Sequence, residues 1–327
     1  VAESPAAVIR HRAAVIGSPV SHSLSPVLHR AAYAGLGLDD WSYERLEAAP
    51  PQLLGLLADL AAPAQGGPAW AGLSVTMPHK QTLLAHLDVI DPLAEAVGAV
   101  NTVVAQRSGA GAALLAGFNT DVAGIVGALR EASRRPVPGA QGDHLRVEQA
   151  VVLGSGATAC SALAALGELK AGRITVVARR HAGPGRALSA AHRMGLDVET
   201  LTWKPTDPAS NIEAAQLLAT ADVVISTLPA HAADPLVDPL RRALEQAGGT
   251  RPGAVMLDVV YAPWPTAVAG AWAHAGGALV PGWLMLLHQA VPQVQLMTGQ
   301  QPDIEGMRAA LRSALAPAST TPLSTDD

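Results

Sequence analysis

The run Ala150-Val151-Val152-Leu153, followed at once by Gly154-Ser155-Gly156-Ala157-Thr158-Ala159, constrains this chain more than any other segment. Four consecutive apolar residues read as a strand buried on both faces, the habit of a parallel sheet. The glycine loop leads into a helical pattern at residues 160–169, and an apolar strand at 173–178 completes a βαβ unit. In that setting Gly154-x-Gly156-x-x-Ala159 supplies a tight turn, a point where backbone can approach a pyrophosphate, and a small residue for close helix packing. Phosphates would sit on the helix N-terminus, touching Gly154, Ser155, Gly156 and Ala157. A ligand-free glycine turn is the plainer alternative.

The end of the second strand bears on which dinucleotide. A binder of NAD places an acid about 20 residues beyond the loop to hold the ribose 2'-hydroxyl, whereas here the strand ends Ala178-Arg179-Arg180. Two planar guanidinium groups suit a 2'-phosphate, so NADP is the expected cofactor. The competing reading of Arg179 and Arg180 is a solvated loop. Further strands at 223–226 and 255–259 extend the same sheet.

With 327 residues the chain has room for two domains. Its net charge of -5, without blocks of like charge, argues against a nucleic-acid surface and for a small-molecule partner. The single cysteine, Cys160, excludes an internal disulfide and fits a reducing cytoplasm; no Cys/His cluster has zinc-site spacing, so no metal is expected. Residues 1–12 do not resemble a secretory signal, and no apolar run reaches the ~18 residues of a membrane span. A soluble protein is expected. Residues 133–144, rich in Pro, Gly and Arg, read as a linker, and residues 316–327 as a disordered tail.

The first 120 residues alternate strands at 13–17, 41–46, 71–75 and 98–105 with helices starting at Pro26, where Ser25 is the expected N-cap, and spanning 51–60. A helix follows from Asp121 to about residue 130, with Val122, Ile125, Val126 and Leu129 on one face. Helical patterns return after Pro281 and from residue 303 to 315. Within this frame Lys80 closes a strand-to-turn segment, Val75-Thr76-Met77-Pro78-His79-Lys80, and Asp121 begins a helix after Gly117-Phe118-Asn119-Thr120. An ammonium and a carboxylate at element ends form a proton-transfer pair for oxidising or reducing a hydroxyl group. Each taken alone has an ordinary reading, a surface lysine and a first-turn acid. With Asn101, Asn119, Ser23 and Ser25, also in turns, they supply what a small polyhydroxylated acid would need. His22, His79 and His288 read as turn or surface residues, and Cys160 as a packing residue.

These segments, in this order, resemble the shikimate dehydrogenase family. The likeness lies in Ser23-Leu24-Ser25-Pro26, the Val-Thr-x-Pro-x-Lys segment ending at Lys80, Gly98-Ala99-Val100-Asn101-Thr102, Gly117-x-Asn119-Thr120-Asp121 and the glycine loop at Gly154. Asp258-x-x-Tyr261-x-Pro263 and Gly282-x-x-Met285-Leu286-x-x-Gln289-Ala290 complete it, over roughly residues 15–315. The resemblance implies an α/β fold with a substrate-binding catalytic domain (1–120), a Rossmann NADP domain with a linker helix (121–281), and C-terminal helices (282–315) that pack back on the first domain. It implies reversible NADPH-dependent reduction of 3-dehydroshikimate to shikimate, with Lys80 and Asp121 as the catalytic pair. Ser23, Ser25 and Tyr261 would hold the carboxylate, and Thr76, Asn101 and Gln289 would join the pair around the ring hydroxyls. Ser226, Thr227 and Met285 would line the cofactor. Ser74 stands where many members carry asparagine, Val122 where glycine is usual, and Ala178 where an Asn-Arg-Thr motif begins. These departures blur selectivity more than reaction class. Neighbouring alternatives are a quinate/shikimate or aminoshikimate dehydrogenase, and a non-catalytic NADP-binding metabolite sensor. Partners beyond shikimate or 3-dehydroshikimate are not expected, with neither nucleic acid nor membrane involved and a homodimer left open.

Overall fold

The computed structural model describes residues 8–63, 66–109, 111–133 and 146–316. The expected linker, apart from Ser133, and the expected tail, apart from Ala316, lie outside these residues, as do residues 1–7 of the N-terminal segment.

The first sheet is built from β1 (His11–Gly17), β2 (Trp41–Glu47), β3 (Ala69–Val75), β4 (Val89–Ile90), β5 (Thr102–Gln106) and β6 (Leu114–Phe118). Its order is β2-β1-β3-β5-β6-β4. β1 runs parallel to both β2 and β3, and β3, β5 and β6 pair antiparallel in succession. Successive residues of β1 serve different cores: Ala13 and Val15 face one, Ala14 and Ile16 the other. That two-sided burial is why β1 reads as a continuous apolar run. Helices α1 (Ser25–Gly35), α2 (Leu53–Ala61) and α3 (Pro92–Val97) cover this sheet, and α4 (Asp121–Ser133) leaves it.

The second sheet is all parallel. Its elements are β7 (Gln149–Leu153), α5 (Ala157–Glu168), β8 (Arg173–Ala178), α6 (Ala187–Met194), β9 (Glu199–Thr202), α7 (Pro208–Ala219), β10 (Val223–Ser226), α8 (Val237–Ala247), β11 (Val255–Asp258), α9 (Ala267–His274) and β12 (Ala278–Pro281). The order β9-β8-β7-β10-β11-β12 is the doubly wound dinucleotide-binding order, with its crevice where the winding reverses, between β7 and β10. The chain then returns through α10 (Gly282–Thr298) and α11 (Ile304–Leu315), which pack on α4 and α1.

Three local expectations are corrected. Ser25 is the first residue of α1 and not its N-cap; Leu24 holds that position, and the Ser25 N–H is met by Ser23 Oγ at 3.3 Å. Residues 98–101 are not strand: Gly98, in the left-handed region, ends α3, and Asp91 caps that helix through the N–H groups of Leu93 and Ala94. Six residues hold too few apolar positions to display a helical period. The helix after the glycine loop begins at Ala157, three residues earlier than expected, with Gly156 as its N-cap.

Gly124 sets the distance between α4 and α10. A Cβ there would stand 2.8 Å from both Gln289 Cβ and the Met285 carbonyl, so its absence lets the two helices touch. At the far end of the same interface, Glu131 of α4 binds Arg308 of α11 through two bonds of 2.9 Å and His288 of α10 at 2.9 Å. His288 is thus a structural ligand of a carboxylate and not a surface residue. Partial burial pushes the Glu131 pKa up, but the hydrogen bonds from Arg308 and His288 outweigh this and hold it below the usual range.

A carboxyl with a depressed folded-state pKa stabilises the fold above its unfolded pKa, and that contribution is lost as pH falls through the folded value. Glu131→Gln is therefore expected to cost roughly 1–3 kcal/mol at neutral pH, with the gap to the parent narrowing below about pH 4. Urea unfolding at the two pH values checks this, and a pH-independent gap would overturn it.

Candidate active site

A cavity of about 590 Å³ opens between the two sheets. Its walls come from the turn after β1 (Ser23), α1 (Ser25), the end of β3 and its turn (Ser74, Thr76, Lys80), Asn101 and Asp121. The second sheet contributes Gly156, Ala157 and Thr227, with Tyr261 from the turn after β11 and Met285 and Gln289 from α10. Residues scattered over most of the sequence thus meet because strand ends and helix starts converge on one crevice.

Asp121 is its charge centre. The Lys80 ammonium lies 2.5 Å from Asp121 Oδ2, with the two side chains 14 % and 5 % exposed. Asn101 Nδ2 donates to Asp121 Oδ1 at 2.8 Å, and Asn101 Oδ1 accepts the Thr120 N–H at 2.7 Å. Asp121 also opens α4, where the helix dipole favours a negative charge. Gln289 Oε1 closes the group, 3.2 Å from Asn101 Nδ2 and 3.3 Å from the Thr120 hydroxyl. An ammonium held beside a carboxylate at the edge of a cavity can donate a proton to a ligand oxygen and stabilise charge that builds on it.

At the opposite rim Ser23, Ser25 and Tyr261 gather. The Ser23 hydroxyl donates to Ser25 Oγ at 3.2 Å, and Tyr261 lines the same part of the cavity. Burial raises the Tyr261 pKa, so its proton stays available for donation. Asp258, buried at the end of β11, accepts from the Thr266 hydroxyl at 2.7 Å and the Val260 N–H at 3.1 Å, and so shapes the turn that carries Tyr261. Thr76 and Met285 line the space between these two ends.

The glycine loop fits a dinucleotide. Gly154 has φ +110°, and a Cβ there would collide with the Thr227 hydroxyl, which is held on the Leu153 carbonyl at 2.7 Å. Gly156 has open space where its side chain would be, and α5 begins without a side-chain cap, leaving N–H groups for phosphate. Arg179 and Arg180 are exposed just beyond β8 and form no hydrogen bond or ion pair through their side chains with the described residues. Two free guanidinium groups there suit an additional phosphate.

Several expected site residues do other work. The Ser155 hydroxyl accepts the Ala187 N–H at 3.1 Å and anchors the start of α6. Ser226 is buried against Asp258 and does not line the cavity, while its neighbour Thr227 does. Asn119 braces the backbone, donating to the Ala99 carbonyl at 2.9 Å and to Ser161 Oγ at 3.1 Å. Burial pushes the Cys160 thiol up to about 11, so it is a packing residue and no thiolate. His79 is buried, 2.6 Å from the Ala48 carbonyl. His22 reaches the cavity, as do Gln81, Thr158 and Gln293, which sequence reasoning passed over. Gln293 carried a usable signal: it follows Gln289 by one helical turn on the same face. Among the described residues no His/Cys/Asp/Glu cluster could hold a metal ion, and no helix is long and apolar enough to cross a membrane.

Comparison with known proteins places the chain in a family. Residues 15–103 match the family model of the shikimate dehydrogenase substrate binding domain, and residues 282–312 that of the shikimate 5'-dehydrogenase C-terminal domain. A protein of Citrifermentans bemidjiense named shikimate dehydrogenase (NADP+) is 36 % identical, covering 95 % of this chain and 96 % of its own. One of Rubrobacter xylanophilus with the same name is 37 % identical over 91 % and 94 %. Among solved structures, Mycobacterium tuberculosis shikimate dehydrogenase matches with a TM-score of 0.72 at 36 % identity, over 93 % of this chain and 99 % of that one. The Thermus thermophilus enzyme, solved in complex with NADP(H) and shikimate, matches with a TM-score of 0.69 at 31 % identity, over 93 % and 99 %. With relatives this similar along nearly its whole length, a doubly wound second sheet and an ammonium–carboxylate pair facing the glycine loop, the chain belongs to the shikimate dehydrogenase family.

Proposed function

We propose that this chain catalyses the reversible NADPH-dependent reduction of 3-dehydroshikimate to shikimate. The observation that carries the reading is the Lys80–Asp121 pair, 2.5 Å apart at the wall of a cavity that also receives the N-terminus of α5. Residues 1–120 form the substrate domain in this reading, residues 121–281 the NADP domain, and residues 282–315 the helices that return to the first. Gly154, Ser155, Gly156 and Ala157 hold the pyrophosphate through backbone, Arg179 and Arg180 the 2'-phosphate, and Thr227 and Met285 flank the nicotinamide. NADPH bound there supplies the hydride.

The chain's own groups do the rest. Ser23, Ser25 and Tyr261 bind the substrate carboxylate by neutral donors, which fixes the ring at one end. Thr76, Asn101 and Gln289 take ring hydroxyls. Lys80 donates its proton to the reacting oxygen as negative charge builds there, and Asp121 holds the ammonium in line. In the oxidation direction the same pair receives the proton. The reducing cytoplasm suits the lone, buried Cys160.

Lys80→Met is expected to lower kcat by about 10²–10⁴-fold with a much smaller change in the KM for shikimate, as measured by absorbance of reduced nicotinamide. Near-normal turnover would remove Lys80 from the mechanism. Replacing Arg179 and Arg180 by Ala should raise the KM for NADP by roughly ten- to a hundredfold while leaving that for NAD nearly unchanged. Equal losses with both cofactors would exclude 2'-phosphate recognition. Running quinate beside shikimate in the parent enzyme separates the two substrate classes, and binding without turnover would instead mark a metabolite sensor.

A further inference from the structure

Along one wall of the cavity and into the core behind it, a chain of buried polar groups has one direction of donation. Its polarity starts from an atom that can only accept. The Asn101 carbonyl lies 3.2 Å from Gln293 Nε2, so the amide nitrogen of Gln293 must face it, and the same nitrogen donates to Thr102 Oγ1 at 2.9 Å. Gln293 Oε1 is then turned toward Ser74 Oγ at 2.8 Å and His29 Nε2 at 3.2 Å. Both must donate to it. Burial pushes the His29 pKa down to about 4, so the ring is neutral and carries its single proton on Nε2.

The proton of Ser74 is therefore committed to Gln293. The Tyr43 hydroxyl, 2.6 Å from Ser74 Oγ, has to be the donor in that contact. Tyr43 is itself fixed by the His29 ring stacked on it at 3.9 Å. Downstream, Thr102 donates to Asn101 Oδ1 at 2.9 Å, and Asn101 Nδ2 donates to the Asp121 carboxylate at 2.8 Å. Donation runs from Tyr43 through Ser74, Gln293, Thr102 and Asn101 to the one anion of the site. Reversing any link would leave two protons or two lone pairs facing each other in a buried place.

Ser74 and Gln293 line the cavity, and Tyr43 does not. With its proton and one lone pair used, Ser74 has one lone pair left to offer a ligand. We infer that Ser74 is a specificity-determining residue that presents only an acceptor to the cavity and so selects a substrate with an O–H or N–H donor at that ring position, Gln293 being the positioning residue that takes the serine's proton. This rests on the shikimate-class reading of the cavity.

The test is titration calorimetry of the full chain with shikimate analogues in which each ring hydroxyl in turn is replaced by hydrogen or by fluorine, which cannot donate. In the parent, one ring position should lose about tenfold in affinity with either replacement. In Ser74→Ala the loss at that position alone should vanish. In Gln293→Met, where the serine proton is released, the fluorine analogue should recover relative to the hydrogen one. Equal losses in parent and Ser74→Ala at every position would overturn the assignment, as would a fluorine analogue that binds the parent like shikimate. A fluorine analogue that stays as weak as the hydrogen one in Gln293→Met would remove Gln293 from it. Turnover of shikimate assayed beside the titrations separates the two readings. Selective binding without turnover would end the dehydrogenase reading and leave Ser74 in place, turnover without the coupling would do the reverse, and no binding at all would end both.

Discussion

A carboxylate almost withdrawn from water has to have its charge met from several sides, and Asp121 organises the site through that need. The Lys80 ammonium meets one oxygen, the Asn101 amide meets the other, and the positive end of the α4 dipole lies behind. Each partner belongs to a different element. Lys80 ends the turn after β3, Asn101 precedes β5, and Asp121 begins α4 after β6. Losing any one would leave part of a buried charge uncompensated, so the three elements are fixed relative to one another as firmly as if they were a single piece. The same carboxylate receives the end of the run of hydrogen bonds that starts at Tyr43, behind the cavity lining, and passes through Ser74.

The second sheet contributes geometry more than charge. Its strands reverse their winding between β7 and β10, which leaves a crevice above Gly154 and Thr227 into which α5 points its N-terminus. The contact between α4 and α10 then carries Gln289 and Met285 from the end of the chain into the wall between the two sheets. Gly124 makes that approach close enough for Gln289 to reach Asn101. The Glu131–Arg308–His288 cluster ties α4, α10 and α11 together at the other end of the interface. A site assembled from several elements needs such distant bracing, because an ångström of slack between helices becomes an ångström at the reacting atoms.

Much of this was legible in the residues. The strands at 173–178 and 223–226 have the bounds that the sequence predicts, because their buried stretches are almost wholly apolar, only Thr175 and Ser226 interrupting them. Lys80 and Asp121 were singled out by their positions at element ends, and those ends do converge. Other parts were silent. β9, β12 and α6 to α9 drew no expectation, since the outer strands are short and half exposed and several of these helices, such as α7, are Ala-rich with little contrast between faces. Ser155, Asn119 and Ser226 look like ligand groups in the sequence, yet the polar atoms of the first two are taken by Ala187, Ala99 and Ser161, and Ser226 is buried beside Asp258 in the sheet.

The sequence by itself determined the βαβ unit with its phosphate loop and the candidate proton-transfer pair, because both are written in local patterns of apolar runs, glycines and element ends. Only the tertiary structure decided which polar groups are free for a ligand. A hydroxyl or an amide has a fixed number of protons and lone pairs, and whether any is left over depends on partners brought in from elsewhere. Gln293 stands 219 residues from the serine whose proton it holds. That choice rests on distances across the core, and no local pattern of residues contains it.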